Sequence, residues 1–211
     1  MRFTLTFEGR LPSASKESRL PEKHKLRLSV HKQLRELYRR NESLPKLPDG
    51  RDWAGWTEWK WPRNWKGSGR DNLGWGEEDT VVSLGNLKFV PLVRRSLAIY
   101  CELDVLFLRY GEPGSLISGD IDNRILTLSD GLRLPKGDAE VAHVCAQNDF
   151  AINDPVFCLL EDDSLVTRWN VRTDRLLAPI AEGNSADVKL IIDVHIKATK
   201  MWYGNVDLIG D

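Results

Sequence analysis

Acidic residues form two groups that could hold a divalent cation. Asp120 and Asp122 stand one residue apart in the stretch SGDIDN, and Glu161, Asp162 and Asp163 are consecutive. Carboxylate oxygens are the ligands that hard cations such as Mg²⁺ prefer. Each group is half of such a site, so the sequence predicts a metal centre only if the fold brings both together. The competing interpretation of the first pair is an ordinary surface turn.

The first acidic group belongs to a predicted helix within residues 118–134. Its apolar residues share one face at about 100° per residue, as expected of a helix packed on a core. They are Ile121, Ile125, Leu128 and Leu132. Asp122 suits the N-cap, where unpaired N–H groups and the helix dipole favour a carboxylate. The second group follows the apolar run 156–160 and precedes residues 164–171, so we expect it at the end of a strand.

Positive charge is concentrated in the first third of the chain. Residues 1–70 hold 17 Lys and Arg against 8 Asp and Glu, whereas the remainder holds 13 against 23. A basic amphipathic helix is predicted over residues 22–40. Its cations predicted to contact nucleic acid are Lys23, Lys25, Arg27, Lys32, Arg35 and Arg39. A basic face suits a phosphate backbone, and the alternative is that these residues only solvate an exposed helix.

Residues 52–75 have an unusual composition, because they contain six of the 8 tryptophans. Aromatic side chains interleaved with cations suit stacking on unpaired bases and contact with phosphates. The candidates are Trp56, Trp59 and Trp61 for stacking and Lys60, Arg63 and Lys66 for phosphates. Two alternatives remain open: the tryptophans build a small core of their own, or they form a patch for a protein partner.

Alternating apolar residues predict strands over residues 2–7, 91–108, 164–173 and 188–198, the second being a long central strand. With the two helices, they predict an α/β (α+β) fold with a small mixed sheet and flanking helices. We expect one domain over residues 1–211, with a Trp-rich insertion at 45–78 and an irregular loop insertion at 135–156.

Composition is that of an ordinary globular protein, with 41% hydrophobic and 29% charged residues. There is no run of eighteen apolar residues and no signal-peptide pattern, so we expect a cytoplasmic protein without a membrane contact. Cys101, Cys145 and Cys158 are far apart in sequence, which favours reduced, buried thiols.

The acidic motifs resemble those of the RusA family of bacterial and phage Holliday-junction resolvases, and the resemblance implies a bacterial or phage origin. The family pattern D-x-D-N, a later Asp and then D-D-x-x-V is matched by DIDN at 120–123, Asp130 and DDSLV at 162–166. The order of predicted elements also resembles the family over most of the chain. The resemblance implies a homodimer that binds branched DNA and cleaves it with Mg²⁺ or Mn²⁺. It implies catalysis and metal binding by Asp120, Asp122 and Asp163, with Asp162 as a further metal ligand.

Two features depart from the family pattern. The family has a lysine four residues after the second aspartate, where this chain has Leu126. Lys136, in the loop insertion, is a candidate for the missing cation, and Arg124 is a further candidate for a DNA contact. In addition, Asp122 and Asp163 are farther apart in sequence than their family counterparts.

Three functions therefore follow as hypotheses. The first is a metal-dependent endonuclease that resolves branched DNA in recombination and repair. The second is a catalytically weakened descendant that binds DNA or acts as a phage interaction protein. The third makes the Trp-rich segment a surface for a protein partner.

Overall fold

The computed structural model describes residues 1–11, 19–41, 44, 81–110, 121–150, 154–178, 180, 187–201 and 205–209. The helices are α1 (Leu20–Arg40), α2 (Ile121–Leu132), α3 (Asp138–Ala146) and the short α4 (Val206–Ile209). The strands are β1 (Arg2–Arg10), β2 (Val82–Leu84), β3 (Leu87–Val93), β4 (Ile99–Tyr110), β5 (Pro155–Leu160), β6 (Val166–Leu176) and β7 (Asp187–Ala198), and a 3₁₀ turn covers Asp163–Leu165. The predicted mixed α+β class is confirmed.

Four strands form the larger sheet in the order β1-β7-β4-β6. The β1–β7 and β7–β4 pairs are antiparallel, and the β4–β6 pair is parallel. Leu5, Ile192, Val105 and Val171 lie in one row across the four strands. Leu5, Ile192 and Val105 are buried and Val171 is partly buried against them, so this row belongs to the core.

Helix α1 covers the inner face of this sheet. Leu26, Val30, Leu34 and Tyr38 are fully buried and recur every three to four residues, which places them on one side of the helix. Helix α2 packs beside α1, where Gly131 permits a close approach. A Cβ atom added at Gly131 would lie only 2.4 Å from Cδ2 of Leu26.

The predicted long strand over residues 91–108 is in fact two strands in different sheets. Strand β3 ends at Val93, and a turn over residues 95–98 leads into β4. The turn is closed by a 2.9 Å hydrogen bond from Ala98 N to Arg95 O, and Ala98 has a φ of 52°. The apolar pattern continues through this turn because Leu97 is buried. Periodicity alone therefore does not reveal where β3 ends and β4 begins.

The smaller sheet has the order β2-β3-β5. Strands β3 and β5 are parallel, and every residue of β5 is buried. Just beyond α2, Leu134 N donates to Leu160 O at 3.0 Å, so the C-terminal end of α2 lies at the C-terminal end of β5.

The predicted loop insertion 135–156 contains helix α3. Its Glu140 side chain is 5% exposed and accepts a hydrogen bond from Arg27 at 2.8 Å. This segment is therefore part of the packed structure, because its carboxylate neutralises a buried guanidinium.

Cys101 and Cys158 are buried free thiols, and burial raises the pKa of each to about 12. Cys145 is a half-buried free thiol. Within the described ranges, no helix combines the length and apolar character needed to cross a membrane.

Candidate nucleic-acid interface and acidic clusters

The N-terminal end of α2 carries Asp122 in its first turn, with the side chain exposed. The helix begins one residue earlier, so Asp122 lies inside the helix and not at the predicted N-cap. Arg19 donates to the carbonyl and the side-chain oxygen of Asn123, both at 3.0 Å, and Arg124 donates to Leu11 O. The Arg19 hydrogen bonds tie the start of α2 to the start of α1, and the Arg124 hydrogen bond ties it to the end of β1. Asp120 lies outside the described residues.

The run Glu161–Asp163 forms a separate cluster in which Lys136 neutralises two carboxylates. Lys136 Nζ lies 2.6 Å from Asp162 Oδ2 and 3.1 Å from Asp163 Oδ1. Ser164 N also donates to Asp162 Oδ1 at 3.0 Å. The hydrogen bonds from Lys136 and then Ser164 hold the pKa of Asp162 well below its usual range, and the hydrogen bonds to Asp162 and Asp163 raise the pKa of Lys136.

Arg95 is the second cation at this cluster. Its backbone N–H donates to Glu161 Oε2 at 2.8 Å, and its guanidinium donates to Ser164 Oγ at 2.8 Å. The cluster thus lies beside the turn that leads into β4. All three carboxylates of the run have a cationic or backbone N–H neighbour in the structure.

Asp122 and the Glu161–Asp163 cluster lie at opposite ends of the larger sheet. The turn holding Asp163 leads directly into β6, whose Val166 pairs with Cys101 near the start of β4. Asp122 lies at the other end. Leu11, to which the start of α2 is hydrogen-bonded, directly follows the β1 residue that pairs with the start of β7. The start of β7 in turn lies beside Arg109, near the end of β4. At about 3.3 Å per residue, β4 from Cys101 to Arg109 spans about 26 Å.

Among the described residues of one chain, Asp122 and Asp163 therefore do not share a metal site. Metal–oxygen bonds are about 2.0–2.6 Å long, far less than this separation. Among the described residues, no group of three or more His, Cys, Asp or Glu side chains could hold a metal ion. At Asp162 and Asp163, the Lys136 ammonium already occupies the position that a cation would take. The metal that the resemblance implies stays a prediction, because its proposed ligand Asp120 lies outside the described residues.

Helix α1 presents a stripe of exposed cations, which we call the basic stripe: Lys25, Lys32, Arg35 and Arg39. At about 100° per residue, these four side chains fall within about 80° of arc, on the side opposite the buried residues. In the described part of the chain, no acidic side chain pairs with Lys25, Lys32 or Arg35. Arg39 forms a solvent-exposed pair with Glu36 at 3.3 Å.

Three cations predicted to contact nucleic acid have structural partners instead. Arg27 is 1% exposed and bonded to Glu140, and Arg124 is 6% exposed and bonded to Leu11 O. Lys23 pairs with Asp130 at 2.5 Å and is largely buried. Their inward positions follow from the helix geometry, since Lys23 and Arg27 lie roughly opposite the basic stripe. These three residues do not contribute to the exposed basic surface.

The Trp-rich segment lies outside the described residues. This holds for the stacking candidates Trp56, Trp59 and Trp61 and for the neighbouring cations Lys60, Arg63 and Lys66. Their predicted roles stay predictions.

Two features of the site did not emerge from the sequence. One is a groove of about 920 Å³ beside the Glu161–Asp163 cluster, lined by both Arg95 and Arg168. The other is the far edge of β6, which carries exposed charged residues. The strand itself was predicted, but its position at the edge depends on pairing between distant segments.

His24 and His31 of α1 are hydrogen-bonded inside the fold. His24 Nε2 lies 2.8 Å from Asp149 Oδ2, and Phe157 N donates to His31 Nδ1 at 3.0 Å. Burial, followed by the nearby charges of Arg35 and Lys32, lowers the pKa of His31 to about 4.

No family model, curated protein or solved structure matches this chain.

Proposed function

We propose that this protein binds nucleic acid through the basic stripe of α1. The observation that carries the proposal is the alignment of Lys25, Lys32, Arg35 and Arg39 on the exposed face of one helix. From Lys25 to Arg39 the stripe is about 21 Å long, at about 1.5 Å per residue. A duplex presents one phosphate per strand about every 3.4 Å, so a stripe of this length can contact several phosphates.

The distribution of charge also supports binding of a polyanion at the basic stripe. The protein as a whole has a net charge of −1, so general attraction to nucleic acid is weak. A local cationic face then determines where a phosphate backbone is bound. The resemblance of the DIDN and DDSLV motifs to RusA resolvases supports branched DNA as the substrate.

A second candidate function adds metal-dependent cleavage with Mg²⁺ or Mn²⁺. The observation that favours it is the position of Lys136, which contacts Asp162 and Asp163 although it is remote from Leu126 in sequence. The separation of Asp122 from Asp163 argues that one chain alone binds DNA without cutting it.

Binding is tested by a gel shift with a labelled four-way junction in EDTA. We expect Lys25→Gln/Lys32→Gln to weaken binding several-fold, because two phosphates are no longer neutralised by the protein. Lys88→Gln/Lys200→Gln removes the same charge from two other exposed positions and serves as the matched control. Equal weakening in both variants would show that net charge, and not the stripe, governs binding.

Cleavage is tested on the same junction with Mg²⁺ or Mn²⁺. An endonuclease of the RusA type would lose activity with Asp122→Asn and keep it with Asp138→Asn, an exposed aspartate in the first turn of α3. Binding without cleavage in either metal would leave the DNA-binding function standing and exclude the nuclease.

A further inference from the structure

Strand β6 forms one edge of the larger sheet and runs for 11 residues, Val166–Leu176. Among the described residues, no strand pairs with β6 on the side away from β4. An open strand edge presents unpaired backbone N–H and C=O groups and is a template for pairing with another strand.

At the opposite edge of the same sheet, a side chain hydrogen-bonds the backbone groups of the edge strand. Strand β1 is capped by the side chain of Gln33, which accepts from Thr6 N at 2.9 Å and donates to Thr6 O at 2.7 Å. A side chain that satisfies these edge groups blocks the addition of a strand there. Only β6 therefore has a long edge free of such a cap in the described sheet.

We propose that β6 pairs antiparallel with β6 of a second copy of this chain, about a two-fold axis at Val171. The two sheets then join into one sheet of eight strands. In this register Arg168 of each copy lies opposite Asp174 of the other, and Asn170 lies opposite Arg172. Val166 and Leu176 face each other at the two ends.

Charge complementarity selects this arrangement. The Arg168–Asp174 pair occurs twice by symmetry, and no two like charges are directly opposite each other. A parallel, in-register pairing would instead set Arg168, Arg172 and Arg175 against their own copies, which is unfavourable. Asp174 is exposed, and its carboxylate accepts only from the adjacent Arg175 N, at 2.7 Å, within the described residues. It is therefore available to a second copy.

Arg168 already has partners within its own chain. Its guanidinium lies 3.0 Å from Glu102 and 3.3 Å from Asp104, and its side chain is half exposed. These carboxylates hold the Arg168 side chain on the outer face of the sheet. The even-numbered residues in this part of β6 lie on that face. A guanidinium has five N–H donors, so contact with Asp174 of the second copy does not require it to leave them.

The dimer itself is tested without DNA, by sedimentation equilibrium of the full chain over micromolar concentrations. We expect Asp174→Arg to weaken the dimer about tenfold, since two attractive pairs become repulsive. Asp138→Arg is the control for an exposed charge reversal, with circular dichroism confirming the fold. A monomeric wild type, or a dimer indifferent to Asp174→Arg, would overturn the proposal.

Discussion

Lys136 Nζ lies 2.6 Å from Asp162 Oδ2, although Lys136 follows α2 and Asp162 follows β5. This ion pair closes the junction between these two elements, next to the hydrogen bond from Leu134 N to Leu160 O. It also offsets one of the three negative charges of the cluster after β5, which suits a site that meets a phosphate better than an uncompensated group of acids would.

Replacing Lys136 with Met should raise the pKa of Asp162, because Lys136 is the largest cause of its depression. An NMR pH titration of the Asp162 carboxyl measures this directly. The free energy of unfolding should fall by no more than about 1 kcal/mol, since the pair is solvent-exposed. An Asp162 pKa unchanged in the variant would contradict the ion pair.

Glu140→Ala should be strongly destabilising, by about 3–5 kcal/mol, because it leaves the buried Arg27 guanidinium without its carboxylate. Urea denaturation at neutral pH provides the measurement. The double variant Arg27→Met/Glu140→Leu removes both charges and should cost less than Glu140→Ala alone. If the single change were as mild as a surface substitution, Arg27 could not be buried as the structure has it.

Gly131→Ala should destabilise the protein by about 1–3 kcal/mol, because the new methyl group would overlap the Leu26 side chain. This destabilisation outweighs the roughly 1 kcal/mol that alanine gains in helix propensity. In a Leu26→Ala background, thermal unfolding should show a smaller penalty for Gly131→Ala. Equal penalties in both backgrounds would exclude close packing of α1 on α2 at this point.

Stability should decrease as pH falls from about 6.5 to about 4, owing in part to His31. Its pKa is lowered to about 4 in the folded protein, whereas an unfolded histidine titrates near 6.5, so the unfolded state binds the proton first. The stabilisation is complete above pH 6.5, and its decrease on acidification amounts to on the order of 3 kcal/mol. In urea titrations at several pH values, the free energy of unfolding of His31→Gln should depend less steeply on pH than that of the wild type. The difference in slope over this interval corresponds to about one bound proton.

The sequence predicts the individual elements well where one face is buried. Strands β1 and β7 alternate between core and surface, and α1 and α2 repeat their apolar residues at helical spacing, so periodicity identifies all four. The boundary between β3 and β4 escaped prediction because a buried leucine continues the apolar pattern through the turn. Helix α3 escaped because it is short and lacks a strong apolar face.

The arrangement of the candidate site was not predictable in the same way. In sequence, both acidic groups occur in the order of a metal-binding motif. Their distance from each other in the fold, however, depends on the direction of β6. Because β6 runs parallel to β4, its first residue lies beside the start of β4, whereas α2 begins at the opposite end of that strand. Likewise, the buried positions of Arg27 and Arg124 depend on partners distant in sequence, Glu140 and Leu11.

The most direct test of nucleic-acid binding by α1 is the salt dependence of the affinity for a four-way junction. We predict that log K falls linearly with log[salt], and that Lys25→Gln/Lys32→Gln reduces the slope by about 2, one for each phosphate that the variant no longer neutralises. Lys88→Gln/Lys200→Gln should leave the slope unchanged. No binding at low salt, or an equal slope in wild type and the α1 variant, would contradict binding through the basic stripe.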